Sequence, residues 1–123
     1  MKIICEKNLE KLKLIKKKYP EIKITKDENE IFLDKRIDVV SIASFDNDHF
    51  YQILKSIKNK KNIIVEKPMC LNLKQLKKIK SMIKKTKIKI TSNLVLRVND
   101  LFKNIKKNVK NDKIFYIEAD YIW

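Results

Sequence analysis

Glu66, Lys67 and Pro68 follow three apolar residues without a break in the stretch N-I-I-V-E-K-P-M-C, Asn62 to Cys70. The run Ile63-Ile64-Val65 suits a short parallel strand covered on both faces. It therefore delivers Glu66 and Lys67 to the carboxyl end of a strand, which is where ligands bind in open α/β sheets. Pro68 biases Lys67 away from helical geometry and delays the next helix. A charged pair held at a strand tip is a candidate site; the plain alternative is a strand-to-helix loop with a solvated ion pair. His49, the one histidine of the chain, follows a polar stretch, Ser44 to Asp48, that closes a second apolar run. It can serve a site or be a structural residue in the first turn of a helix. Cys5 and Cys70 are the only cysteines and have no CxxC spacing. They offer no structural metal site and fit a reducing compartment, and no third group completes a thiol nucleophile with His49.

The elements that must position these groups alternate in type. Lys2 to Cys5 reads as a strand, and Asn8 caps a helix with the stripe Leu9, Leu12, Ile15 and Tyr19 that ends at Pro20. Glu21 to Thr25 reads as a strand and Asp27 to Leu33 as a short helix with Ile31 and Phe32 inward. Asp38 to Ala43 is a buried-strand run, followed by a polar turn and a helix with Phe50, Ile53, Leu54 and Ile57 on one face. Asn72 and Gln75 have capping-box spacing before a helix with the stripe Leu73, Leu76, Ile79 and Ile83. Lys87 to Thr91 is a strand, and Val98, Leu101, Phe102, Ile105 and Val109 mark a last helix. Lys113 to Trp123 alternates as a strand. Strands alternating with helices imply βαβ units and a mostly parallel sheet, an α/β fold.

With 123 residues the chain suffices for one domain with a core, and no apolar run approaches a membrane span. The N-terminus has no signal-peptide pattern, so the expected compartment is the cytoplasm. A net charge of +15 raises the question of a nucleic-acid partner. Against it, every basic residue but Arg36 and Arg97 is lysine, and the lysines are dispersed along the chain. Arginine is the residue that reads bases and phosphates in bidentate fashion, so the expectation is nonspecific affinity only, and no membrane partner. The chain has no glycine at all, where average usage is about 7%. Neither a GxGxxG turn nor a P-loop exists in it.

The order of these motifs resembles the Gfo/Idh/MocA family of NAD(P)-dependent oxidoreductases, which act on sugars, inositols and related polyols. An acidic residue at the end of the family's second Rossmann strand corresponds to Glu6 in I-I-C-E-K. The family's T-P-N-x-x-H turn corresponds to S-F-D-N-D-H, matched at Ser44 and His49 and departing at Phe45 and Asp46. Its E-K-P motif is Glu66, Lys67 and Pro68, and S-N-L-V-L-R places Arg97 at the family's arginine position. The resemblance implies a catalytic Lys67, which would donate to the reacting oxygen. It also implies a cofactor site drawn from Glu6, Ser44, Phe45, His49, Glu66, Lys67 and Arg97. Glu6 would accept from ribose hydroxyls and favour NAD over NADP; its alternative role is a helix-entry carboxylate.

The resemblance further implies a Rossmann-like mostly parallel sheet lacking its first strand and glycine-rich turn. Residues 1–92 would form a partial dinucleotide-binding domain, and 93–123 the beginning of a second, α+β domain for substrate and oligomerisation. An intact relative would be a homo-oligomer acting on a small sugar or polyol. The family's glycine-rich turn and its second-domain proton-transfer residue fall outside this segment. An inactive remnant, or a small basic module without enzymatic activity, is therefore the alternative function.

Overall fold

The computed structural model describes all residues except Met1, Asn111, Ala119, Tyr121, Ile122 and Trp123, and its contacts divide the chain into two units, Met1–Asn93 and Leu94–Trp123. In the first unit the order is β1 (Ile3–Cys5), α1 (Leu9–Lys18), β2 (Lys23–Thr25), α2 (Asn29–Phe32), β3 (Val39–Ile42), α3 (Asp46–Lys58), β4 (Asn62–Val65), α4 (Leu73–Ile83) and β5 (Ile90–Ser92). β1 pairs with β2, and β3, β4 and β5 form a second sheet in that order, every pairing parallel. The fold is α/β and Rossmann-like, as the motif order led us to expect. No described helix is long and apolar enough to cross a membrane.

The core follows from alternation along the strands. Val40 lies opposite Ile63 and Ile42 opposite Val65, and these four side chains meet Ile53 and Ile57 of α3 and Ile79 of α4. Ile53 and Val65 are completely buried. Fully burying one such side chain is worth about 1.5–3 kcal/mol, so these few residues carry much of the unit's apolar stabilisation. The expectation that β4 is covered on both faces is corrected here. Ile64 is 44% exposed between two buried neighbours, and Val39 on β3 is 50% exposed. The reason is geometric: successive side chains point to opposite faces, while the core helices α3 and α4 both lie against one of them.

Several boundaries move. α3 begins at Asp46, so Asp46, Asn47 and Asp48 form its first turn instead of a separate polar loop. Carboxylates there interact favourably with the helix N-terminus. β5 runs from Ile90 to Ser92 instead of Lys87 to Thr91. At α4 the capping side chain of Asn72 accepts from the Gln75 amide at 2.9 Å, while Gln75 Oε1 accepts from Leu71 N–H at 2.9 Å, one residue before the cap itself.

Two lysines shape the entry to β4. α3 ends in a pair of bonds, Lys60 N–H to Ile57 O at 3.1 Å and Lys61 N–H to Ser56 O at 2.9 Å, with Lys60 at φ 57°. This is the Schellman pattern, whose left-handed residue is usually glycine. Lys61 is then carried inside at 4% exposure, and its Nζ donates to the Asp34 and Ile37 carbonyls at 2.6 and 2.7 Å. Those bonds offset the desolvation of a buried charge.

The second unit has a 3₁₀ turn, Val95–Arg97, and α5, Asp100–Asn108, capped by Asn99 through its bond from Leu101 N–H at 2.9 Å. The expected strand from Lys113 to Trp123 is not formed by Lys113–Glu118 or Asp120, and its remaining residues lie outside the described ones.

Candidate functional site

The carboxyl ends of β3, β4 and β5 bring three short loops together. Backbone bonds fix their register: Glu66 N–H donates to Ile42 O at 2.9 Å and Asn93 N–H to Val65 O at 2.8 Å. From β3 the chain presents Ser44 and then Phe45, whose ring is 83% exposed. From β4 it presents Glu66 and Lys67, with the Lys67–Pro68 peptide bond cis. From β5 it presents Asn93, whose side-chain amide donates to Glu66 Oε1 at 2.5 Å. Lys67 is exposed, and among the described residues its ammonium has no hydrogen-bonded or ionic partner.

Around this rim the side chains are tied to one another. The Ser44 hydroxyl donates to Gln52 Oε1 at 2.7 Å, Gln52 Nε2 donates to Glu28 Oε2 at 2.9 Å, and Lys55 donates to the other Glu28 oxygen. Burial pushes the Glu28 carboxyl up, but the bonds from Lys55 and Gln52 and the charge of Lys55 outweigh it and hold the group below its ordinary value. Ser44 thus spends its hydrogen inside the protein and turns only lone pairs outward. His49 is fully buried; its Nδ1 lies 2.8 Å from Pro68 O and its Nε2 3.1 Å from Ser44 O. It faces two backbone carbonyls and meets no solvent.

Glu6 stands at the carboxyl end of β1, in the other sheet. One carboxylate oxygen accepts from Asn8 N–H at 2.9 Å, just before α1. Beside it the Cys5 thiol is pushed up by burial and by the charges of Glu28, Asp27 and Glu6, which places three carboxylates near the tips of β1 and β2. A shallow hollow of about 240 Å³ lies at the opposite, amino ends of these strands, lined by Lys2, Ile3, Lys23, Asp34 and Arg36. Arg36 grips Asp34 there with Nε and Nη2 at 3.0 and 2.8 Å, holding that carboxyl well below the usual carboxylate range.

The structure therefore brings together Ser44, Phe45, Glu66 and Lys67 from the sequence-predicted set, places His49 beneath them, and leaves Glu6 on the other sheet. Arg97 ends the 3₁₀ turn of the second unit. Sequence reasoning missed Asn93 and Gln52. An asparagine directly after a strand-length run was the available signal for Asn93, and Gln52 had none, because its partners are 8 and 24 residues away. No group of three or more His, Cys, Asp or Glu suited to a metal occurs among the described residues.

The model of the Gfo/Idh/MocA oxidoreductase family, described as an NAD-binding Rossmann fold, matches residues 1–94. The chain belongs to this family. A myo-inositol 2-dehydrogenase of Thermotoga maritima is 30% identical over 105 residues, covering 85% of this chain and 31% of that protein. The crystal structure of a probable dehydrogenase from the same organism superposes with a TM-score of 0.83 at 28% identity, over 90% of this chain and 34% of that one. A scyllo-inositol dehydrogenase from Lactobacillus casei, solved with bound NAD(H) and scyllo-inositol, matches in fold with a TM-score of 0.84 at 22% identity. The chain covers 34% of that protein, so it spans about a third of the length of these relatives. The family match ends at residue 94, and the contact division falls between Asn93 and Leu94.

Proposed function

We propose that this chain supplies the nicotinamide-nucleotide site of an oxidoreductase that acts on a polyol or sugar, with Lys67 as the group facing the reacting oxygen. The observation that supports it most is the rim itself: an exposed lysine with no described partner, at a strand tip, beside a fixed carboxylate and an exposed aromatic ring. When bound, a nicotinamide cofactor gives or takes the hydride.

The residues fit such a group. Glu6 keeps one carboxylate oxygen uncommitted to its Asn8 bond and suits ribose hydroxyls. With Glu28 paired to Lys55, the carboxylates of Glu6 and Asp27, just past the ends of β1 and β2, disfavour a further phosphate there by like charge, which supports NAD over NADP. Phe45 offers a flat apolar face, and Ser44, its hydrogen already given to Gln52, acts as an acceptor. Lys67 brings a positive donor to an oxygen that gains negative charge as an alcohol is deprotonated or a ketone reduced. The reading takes its substrate class from the inositol dehydrogenases to which the chain is similar.

Nucleotide titration of the 15N-labelled chain tests this. NAD should shift the amides of Glu6, Ser44, Phe45 and Lys67, and NADP should do so more weakly. Unchanged amides at these four positions in millimolar NAD would sink the proposal.

A further inference from the structure

We propose that His49 is a positioning residue for Lys67: its ring ties the turn that carries Lys67 to the turn that carries Ser44 and Phe45, so that the two loops keep one geometry at the strand tips. The idea rests on the oxidoreductase reading for its purpose, and on geometry for its substance.

Between Glu66 and Leu71, Met69 and Cys70 pack against the core, but the turn has few hydrogen-bonded ties to the fold. Glu66 is held at both ends, by its amide on Ile42 O and by its carboxylate on the Asn93 amide. Leu71 is held by Gln75. Across Lys67, Pro68, Met69 and Cys70, the one described backbone group hydrogen-bonded to another element is the Pro68 carbonyl, and its partner is His49 Nδ1 at 2.8 Å. Lys67 has no described side-chain partner, so its direction depends on the backbone beneath it.

His49 is suited to that task. It sits in the first turn of α3 and is wholly buried, so water does not compete for its contacts. Its two nitrogens reach carbonyls 5 and 19 residues away in the chain, one on each loop. Both are acceptors, and a neutral imidazole has a single N–H. The shorter contact assigns that hydrogen to Nδ1, which donates to Pro68 O; Nε2, without a hydrogen, makes no bond to Ser44 O, and His49 is joined to the Ser44–Phe45 loop by its own place in the first turn of α3. A leucine in its place fills similar space and makes no bond to the Pro68 carbonyl.

The test compares the 123-residue chain with His49→Leu and His49→Asn by amide hydrogen exchange. In His49→Leu the hydrogen-bonded amides that flank the turn, Glu66 and Leu71, should exchange about tenfold faster, while those of Ile63, Ile64 and Val65 keep their protection. His49→Asn, which retains a donor, should fall between. NAD should still shift the Glu6 amide of the Leu variant but no longer that of Lys67. An equal acceleration throughout the sheet, or none at the turn, overturns the proposal. Should His49→Leu not fold, the unchanged chain decides: a slowly exchanging Nδ1–H coupled to the Pro68 carbonyl supports it, and a ring whose hydrogen sits on Nε2 overturns it. The exchange data judge the tie whether or not NAD binds. A chain whose spectrum NAD leaves untouched removes the oxidoreductase reading, and with it the claim on Lys67.

Discussion

Replacing Lys60 by glycine should stabilise the protein, against the usual effect of introducing glycine within a helix. Lys60 adopts φ 57° at the left-handed position of the Schellman turn that closes α3. A residue with a β-carbon pays roughly 1–2 kcal/mol for that conformation. Glycine avoids it but gains chain freedom when unfolded, at a cost of about 0.5–1 kcal/mol. The balance favours Lys60→Gly by about 0.5–1 kcal/mol, and for a chain of this size a Tm rise of roughly 2–6 °C follows. Lys60→Asn, which tolerates the same region without the full entropy loss, should act in the same direction. Lys60 is exposed, so no packing changes. The control is Lys58→Gly, also exposed but the last helical residue of α3, where glycine relieves no left-handed geometry and should cost up to about 1 kcal/mol. Urea unfolding with a common slope measures all three. Equal destabilisation by Lys60→Gly and Lys58→Gly would refute the reasoning, since it would mean that Lys60 has no left-handed geometry to relieve.

Lys61→Met should cost about 2 kcal/mol or more, because it strands the Asp34 and Ile37 carbonyls that Nζ now satisfies; urea midpoints will show it. Ile53→Ala, at a site of zero exposure, should cost about 2–5 kcal/mol by the same measurement. Glu28 is held below its ordinary value, so its contribution is complete above the unfolded carboxylate range and is lost as pH falls through the lower folded value. The acid-induced drop in urea midpoint should therefore be smaller in Glu28→Gln than in the parent, and an unchanged drop would remove the role given to Lys55 and Gln52. The raised Cys5 thiol should react with a thiol reagent at pH 8 more slowly than in the urea-unfolded chain.

What was legible in the sequence was whatever periodicity and strand ends control. Among the described residues five of the six expected strands and the five helices fall close to their expected places, because Val40, Ile42, Ile63 and Val65, or Leu73, Leu76, Ile79 and Ile83, repeat with the spacing of the element they form. The convergence of Ser44, Phe45, Glu66 and Lys67 was legible because parallel strands set their carboxyl ends side by side. What was not legible depends on partners distant in the chain. Nothing local marks Lys61 as the buried lysine among 28 lysines, nor Lys60 as the one that turns left-handed. The exposure of Ile64 was hidden for a related reason: an apolar triplet looks alike whether one face of its sheet is covered or two.

The absence of glycine connects these points. A Rossmann-like unit needs its helices closed sharply so that each following strand enters in register, and glycine is the residue that does this without strain. Here the turn into β4 is made by Lys60, and the strain is offset nearby, where Lys61 seats its ammonium between two carbonyls. β4 then emerges with Asn62 opposite Val39, and the residues that follow it, Glu66 and Lys67, arrive at the level of Ser44. A shift of one residue at that turn would reverse the faces of Ile63 and Ile64 and turn Lys67 away from the rim. The geometry of the candidate site is thus set at both ends of β4, by a lysine pair at its entry and by His49 beneath its exit.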